Sequence, residues 1–296
     1  MSGPGVTLTD MTTKIALVTG ASAGIGEAIA RALLDEGWTV YAAARRVDRM
    51  AGLADRGAHV LGMDVTDDAS MTAGVQRILD ECGRIDALVN NAGYGSYGAL
   101  EEVPMDEARR QFEVNVFGLA RLTQLVTPTM RAQHSGRIVN ISSMAAHIYE
   151  PLGSWYHATK FAVNGLSDSL RLELKPFGID VVTVQPGGIK SEWAGISADS
   201  LEQRSGHGPY ATQARTLATM LRGSDANSSE PEVVARAVVA ACTAKRPRSK
   251  YTIGMGAKPL VAARRVLPDR AMDALLSAAF DQAPKLVERR AKRDAS

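Results

Sequence analysis

Two hydrophobic rhythms alternate along the chain. Ile15–Val18, Thr39–Ala43, His59–Met63, Ile85–Val89, Arg137–Ile141 and Ile179–Val184 are short apolar runs. Their length and β-branched content predict buried strands. Between them the apolar residues recur at helical spacing. Glu27–Glu36 puts Ile29, Leu33 and Leu34 on one face and closes at Gly37. Asp106–Gln133 reads as a long helix broken at Pro128, because an interior proline removes a backbone donor and crowds the preceding turn. It carries Asn115 and Gly118, and Asn is a poor helix former whose amide competes for backbone bonds. A further helix begins before Tyr156 and runs to about Phe177, where Pro176 suits its end. Strands alternating with helices over the first 190 residues predict an α/β fold: a parallel sheet covered on both faces.

Beyond Ile189 the rhythm loosens. Lys190–Ser229 reads as a polar, irregular loop around Gly206-His207-Gly208-Pro209. Such a loop on a rigid scaffold is where substrate specificity is expected. Its residues Trp193, Ile196, Leu201, Leu217 and Met220 could wall a pocket or pack on the core. A helix over Pro231–Ala244 and a last strand over Ser249–Ile253 follow. Pro259–Phe280 reads as one more helix, with Met272, Leu275, Leu276 and Phe280 on a shared face. The ends, 1–13 and Glu288–Ser296, read as a loose tail and a solvated charged tail. No internal repeat or linker divides the chain. It reads as a single domain over 14–255 with a C-terminal helical extension over 256–296.

The 296 residues are 45% hydrophobic and 22% charged, enough for one large core. A net charge of +2 argues against nucleic acid as a partner. No run approaches the ~20 apolar residues of an integral membrane segment. The N-terminus has neither the basic start nor the apolar block of a signal peptide. Cys82 and Cys242 stand far apart in no metal-like spacing, which points to a reduced, cytoplasmic setting and no metal.

The first apolar run ends in Thr19-Gly20-Ala21-Ser22-Ala23-Gly24-Ile25-Gly26 and opens directly into a helix. Strand, glycine-rich turn and helix start make a diphosphate cradle, with free N–H groups and a positive dipole end. The second strand ends in Ala44-Arg45-Arg46, with no carboxylate before Asp48. An arginine there suits the 2′-phosphate of NADP, whereas an acidic residue would suit the ribose of NAD. The expected cofactor is therefore NADP(H) rather than NAD(H), with Arg45 as the phosphate ligand. Asp64, at the end of the third strand, is placed either to accept from an adenine amino group or to cap the following helix, a role Asp67 could also fill. Asn90-Asn91-Ala92-Gly93 follows the fourth strand, where ligands of open α/β sheets lie. Ala92 and Gly93 leave room for the cofactor, and Asn91 is expected to hydrogen-bond it. Tyr156 and Lys160 are one helical turn apart, so an ammonium can lower the phenol's pKa and fit it for acid–base work.

Together, Thr19–Gly26, Asn90–Gly93, Asn115, Ser143, Tyr156-x-x-x-Lys160 and Pro186-Gly187 resemble the classical short-chain dehydrogenase/reductase family over roughly residues 14–255. The resemblance implies a Rossmann-type, doubly wound sheet of seven parallel strands. It implies Tyr156 as general acid/base and Lys160 on the nicotinamide ribose, lowering the Tyr156 pKa. Ser143, thirteen residues before Tyr156, would hydrogen-bond the substrate oxygen, with Ser142 lining the cofactor cleft. Asn115 would hold a proton-relaying water. Gly20, Ser22, Ala23, Gly24, Ile25, Gly26, Arg45, Asp64, Val65, Asn91, Ala92, Gly93, Pro186, Gly187 and Ile189 would line the cofactor, Ile189 through its backbone. Ser191 stands where many members carry Thr. The stretch Asn90–Trp193 and the tail beyond residue 255 most resemble the 17β-hydroxysteroid and retinol dehydrogenase-like branch. That implies a secondary alcohol or ketone on a hydrophobic substrate, and a homodimer or homotetramer. A reductase of 3-oxoacyl or xenobiotic carbonyls and a non-catalytic NADP(H) sensor are the rival readings. The basic C-terminal segment, from Lys258, Arg264 and Arg265 to Arg289, Arg290 and Lys292, could meet its own domain, a partner subunit or a membrane surface.

Overall fold

The computed structural model describes residues 13–280. Seven strands form one parallel sheet: β1 (Ile15–Thr19), β2 (Thr39–Ala44), β3 (His59–Gly62), β4 (Ala87–Asn90), β5 (Gly136–Ile141), β6 (Ile179–Pro186) and β7 (Lys250–Ile253). Their order is β3-β2-β1-β4-β5-β6-β7. The order reverses between β1 and β4, which opens a crevice at the carboxyl ends of the strands. The helices are α1 (Gly24–Asp35), α2 (Ala51–Ala54), α3 (Asp68–Cys82), α4 (Met105–Phe112), α5 (Gly118–Ala132), α6 (Ser154–Leu174), α7 (Glu192–Ser205), α8 (Ala211–Ser224), α9 (Glu232–Thr243) and α10 (Ala257–Val266).

Side chains of β1 alternate between two cores, as the pleat dictates. Ala16 and Val18 join Ile29 and Leu33 of α1 and Val234 and Val238 of α9 on one face. Ile15 and Leu17 join Ile78 of α3 and Leu122, Val126 and Met130 of α5 on the other. Both faces being covered explains why the strands read as continuous apolar runs. Each fully buried side chain of this size stabilises the fold by about 1.5–3 kcal/mol.

Pro128 does not break its helix. α5 continues through it to Ala132, held by Leu122, Val126 and Met130, all fully buried. Packing on both sides of the proline outweighs one lost backbone bond. The irregularity lies earlier, where a π turn over Glu113–Phe117 joins α4 to α5. The Lys190–Ser229 segment is not an irregular loop either. It folds into α7 and α8, whose small buried residues (Ala194, Ala198, Ala214, Ala218) let the helices approach closely. Short side chains of this kind give a weak apolar stripe, so the sequence pattern hid both helices. The expected Pro259–Phe280 helix is two: α10 ends before Pro268, and a second stretch runs over 269–280. There Met272 is buried and Leu276 and Phe280 are half-buried, but Leu275 is exposed. Residues 1–12, the Glu288–Ser296 tail, Arg289, Arg290 and Lys292 lie outside the described residues.

Asp86, just before β4, ties the start of the sheet together. Its buried carboxylate accepts from the Ile15 backbone N–H at 2.9 Å, Arg84 Nη2 at 2.6 Å and Lys14 Nζ at 3.1 Å. Burial pushes the carboxyl up, but these three donors outweigh it and hold it below the usual carboxylate range. The stabilisation is thus present above the ordinary Asp range and is lost as pH falls through the lowered value. Asp86→Asn is expected to cost about 2 kcal/mol at pH 7, with a shrinking difference from the parent in acid. Denaturant titrations at pH 7 and below pH 4 measure this, and equal stability at pH 7 would refute it.

Candidate active site

The turn after β1 is wound tightly. Gly20 has φ +67°, and a Cβ at Gly26 would collide with the Gly20 carbonyl oxygen. Thr19 Oγ1 accepts from the backbone N–H groups of Asn91 and Ala92, both at 3.0 Å. Asn91 Nδ2 donates to the carbonyls of Thr19 at 2.9 Å and Gly20 at 3.3 Å. The amide donor expected to reach a cofactor is therefore spent on fixing the turn to the end of β4. α1 begins beyond Ala23 with no side-chain cap, so no side chain blocks its N-terminal N–H groups. A turn of glycines and small side chains at an uncapped helix start fits a diphosphate. Ser22, Ala23 and Gly24 form its rim, and Ile25 packs on the core.

At the end of β2, Arg45 is exposed and makes no hydrogen bond or ion pair among the described residues. Arg46 Nη2 lies 3.4 Å from Ser22 Oγ. Asp64 Oδ1 accepts from the Thr66 N–H at 3.0 Å and Thr66 Oγ1 at 2.8 Å. The cap of α3 is Asp67, which accepts from the Ala69 N–H at 3.0 Å. Burial pushes the Asp64 carboxyl up; the Thr66 bonds and the Arg45 charge outweigh it and leave the carboxyl lowered. Val65 lies against the start of α5, where a Cβ at Gly118 would strike its carbonyl.

Tyr156 and Lys160 are buried on α6. Lys160 Nζ donates to the Ile141 carbonyl at 3.2 Å and lies 5.8 Å from the Tyr156 ring centroid. Burial pulls the Lys160 ammonium down to about 8. Ser143 precedes a short 3-10 turn, where its Oγ accepts from the Ala145 N–H at 3.1 Å, lies 3.5 Å from the Pro186 carbonyl and hydrogen-bonds the Tyr156 phenol. Burial pushes that phenol up, the Ser143 bond pulls it down and the Glu150 carboxylate pushes it up again. The phenol ends above its ordinary value, not below it as the Tyr–Lys spacing suggests. Ser142 is buried and donates to the Lys160 carbonyl at 3.4 Å, so it braces α6 rather than lining the cleft.

Asn115 sits in the π turn, where the Gly118 N–H reaches back five residues to the Glu113 carbonyl. Its Oδ1 accepts from the Tyr94 N–H at 3.0 Å, and its Nδ2 donates to the Tyr94 carbonyl at 2.9 Å and Thr159 Oγ1 at 3.1 Å. The side chain is fully engaged; a π turn leaves backbone carbonyls, not this amide, to receive a water. Gly93 closes the group, since a Cβ there would stand 3.1 Å from Asn115 Oδ1 and 3.8 Å from Lys160 Nζ. Pro186 ends β6, the Gly187 N–H bonds the Ile253 carbonyl at 2.8 Å, and Ile189 bridges to Ser229.

An aromatic wall faces the phenol. Trp193 of α7 lies 5.1 Å from the Tyr156 ring and 5.9 Å from the Tyr97 ring. Tyr97 is itself 5.7 Å from Tyr156, and its hydroxyl donates to Glu150 Oε1 at 2.7 Å. Leu201 and Leu217 are buried in the same cluster, whereas Ile196 is exposed and Met220 half-buried. Arg46, Tyr97, Glu150, Thr159 and Glu192 escaped the sequence reading. Arg46 alone had a local signal, its place beside Arg45.

The Lys160 ammonium has three donors and one carbonyl within reach, so its charge is poorly compensated. It is charged up to the ordinary lysine range when unfolded but only to about 8 when folded. Stability therefore rises with pH across that window. Lys160→Met is expected to stabilise the fold at pH 7 by on the order of 2 kcal/mol and to abolish the rise. Thermal unfolding across pH 7–10 measures it; a less stable variant would overturn the assignment.

The chain matches the family described as short chain dehydrogenase over residues 14–200. It is 33% identical over 263 residues to a 3-ketodihydrosphingosine reductase of Bacteroides thetaiotaomicron, covering 88% of this chain and 96% of the relative. It is 32% identical over 274 residues to an NADPH-dependent 3-dehydrocapnine reductase of Ornithobacterium rhinotracheale, covering 88% and 95%. A crystal structure of a short-chain dehydrogenase from Streptomyces avermitilis superposes with a TM-score of 0.75 at 31% identity, over 94% of this chain and 98% of that one. Buried Tyr156 and Lys160, with half-buried Ser143 beside them, thus meet kinship over most of the chain, which belongs to the short-chain dehydrogenase family as an NAD(P)-dependent oxidoreductase.

Proposed function

We propose that the protein is an NADP(H)-dependent reductase of a ketone carried on a hydrophobic substrate. The observation that carries this is the placement of Tyr156: buried, hydrogen-bonded to Ser143 and set against the Tyr97 and Trp193 rings. A protonated phenol is the donor a carbonyl reduction needs. A bound reduced nicotinamide supplies the hydride to the carbonyl carbon. Negative charge then develops on the carbonyl oxygen, and the Tyr156 and Ser143 hydroxyls stabilise it. Tyr156 delivers the proton that makes the alcohol. Lys160, its ammonium pulled down to about 8 by burial, resupplies the phenol and steadies the ribose. Asn115 holds the π turn from which a water exchanges that proton with solvent. Gly20 to Gly26, Asp64, Val65, Ala92, Gly93, Pro186, Gly187 and Ile189 form the cofactor's walls.

The wall of Tyr97, Trp193, Leu152, Leu201 and Leu217 supports an apolar substrate. The named activities of the two relatives support a ketone in the reducing direction. Steroids, retinoids and long-chain ketones share this chemistry and form the panel to be tested. NADP(H) is supported by Arg45 and Arg46 at the end of β2 and by the NADPH dependence of one relative. Free Cys82 and Cys242 support a reduced cytoplasmic setting. A homodimer or homotetramer is supported by exposed Met105 and Phe117, which line a surface hollow with Phe112 and Trp155.

Tyr156→Phe is expected to lower NADPH oxidation on the best ketone of the panel by at least about a hundredfold, with NADPH binding retained. Undiminished turnover would end the mechanism, and absence of turnover on every ketone would favour a sensor. Arg45→Asp is expected to weaken NADP(H) about tenfold or more while leaving NAD(H) little changed. Equal losses in calorimetric titrations of both would remove Arg45 as the phosphate ligand.

A further inference from the structure

An ion pair at the adenosine end of the crevice joins elements distant in sequence. Glu192, in the first turn of α7, places its carboxylate 2.7 Å from Arg49 Nη2, 3.3 Å from Arg49 Nη1 and 3.5 Å from Arg46 Nη2. The same Arg46 Nη2 lies 3.4 Å from Ser22 Oγ on the glycine-rich turn. Ser191, which caps α7, stands beside that turn as well, since a Cβ at Gly24 would be 3.4 Å from the Ser191 Cβ. Arg45, Arg46 and Arg49 thus gather where β2 ends, and a carboxylate from the substrate-side helix sits against two of them. The partners are 40–51% exposed, so the pair is weak enough to be exchanged for a stronger anion. A phosphate monoester carries about 1.5–2 negative charges at neutral pH and offers three acceptor oxygens.

We propose that Glu192 is a specificity-determining residue: its carboxylate competes with a ribose 2′-phosphate for Arg46 and Arg49, and so limits the preference for the phosphorylated cofactor. This deepens the NADP(H) reading and rests on it. A ribose with a free 2′-hydroxyl leaves the ion pair undisturbed. A 2′-phosphate either draws Arg46 away from Glu192 or sits beside a like charge, and both reduce its affinity.

The test is calorimetric titration with adenosine 2′,5′-bisphosphate and adenosine 5′-monophosphate, which differ only in the 2′-phosphate. Low salt is used, because screening weakens exposed charges. Glu192→Gln is expected to tighten the bisphosphate about threefold and Glu192→Lys about tenfold, with the monophosphate unchanged. Equal tightening of both nucleotides, or no tightening of the bisphosphate in either variant, overturns the proposal. If the parent binds both nucleotides alike and Arg45→Ala and Arg46→Ala change nothing, the NADP(H) reading fails and this one falls with it. If the parent favours the bisphosphate through those arginines but Glu192→Gln leaves the preference as it was, only the role of Glu192 is lost.

Discussion

The site depends on one costly arrangement: a lysine side chain buried against a single backbone carbonyl. Lys160, one turn after Tyr156 on α6, donates to the carbonyl of Ile141, the last residue of β5. Desolvation alone accounts for its lowered pKa. The same burial raises the phenol beside it, so two groups with ordinary values near 10 move in opposite directions. One becomes a firm proton donor and the other a group that gains and loses a proton near neutrality. In the proposed mechanism that separation assigns the acid to Tyr156 and the relay to Lys160.

Holding such a pair needs stiff surroundings, and the sheet supplies them through polar side chains as much as apolar ones. Asn140 Nδ2 donates to Ser167 Oγ at 2.9 Å, and Asn90 Nδ2 donates to Asn140 Oδ1 at 2.9 Å. These bonds run from β4 through β5 to α6 beneath the catalytic turn. Thr159 then joins α6 to Asn115, and Asn91 joins β4 to the glycine turn. Buried bonds of this kind fix register and orientation, because breaking any one strands a partner away from water, as Asn90 Oδ1 already is.

Most of the sheet was legible because both faces are buried, which writes each strand as an apolar run bounded by turn residues. The Tyr156–Lys160 pair was legible because two residue types at a four-residue spacing on one helix must stand a turn apart. What the sequence hid followed from long-range packing. Pro128 reads as a break, yet it sits on the exposed face of α5 while the buried stripe of Leu122, Val126 and Met130 carries the helix through it. Small residues made α7 and α8 look like a loop, although close approach is what those residues permit. The direction of the Tyr156 shift was hidden for the same reason: spacing shows that an ammonium is near but not how dry the phenol is. Tyr97 and Glu150 flank Tyr156 from segments whose meeting no local pattern foretells.

The first turn of α7 joins these themes. Three consecutive residues face three parts of the crevice: Ser191 the glycine turn, Glu192 the arginines after β2, and Trp193 the catalytic phenol. A Cβ at Gly95 would stand 2.6 Å from the Trp193 ring, so the indole is pressed against the segment leading to Tyr97. Whatever moves this turn therefore moves the indole beside Tyr156 and the carboxylate beside Arg46 and Arg49 together. Exposed ion pairs contribute less than about 1 kcal/mol, while an aromatic packed on two rings contributes more through buried area. The aromatic contact thus sets where the turn rests, and the ion pair tunes how firmly it stays.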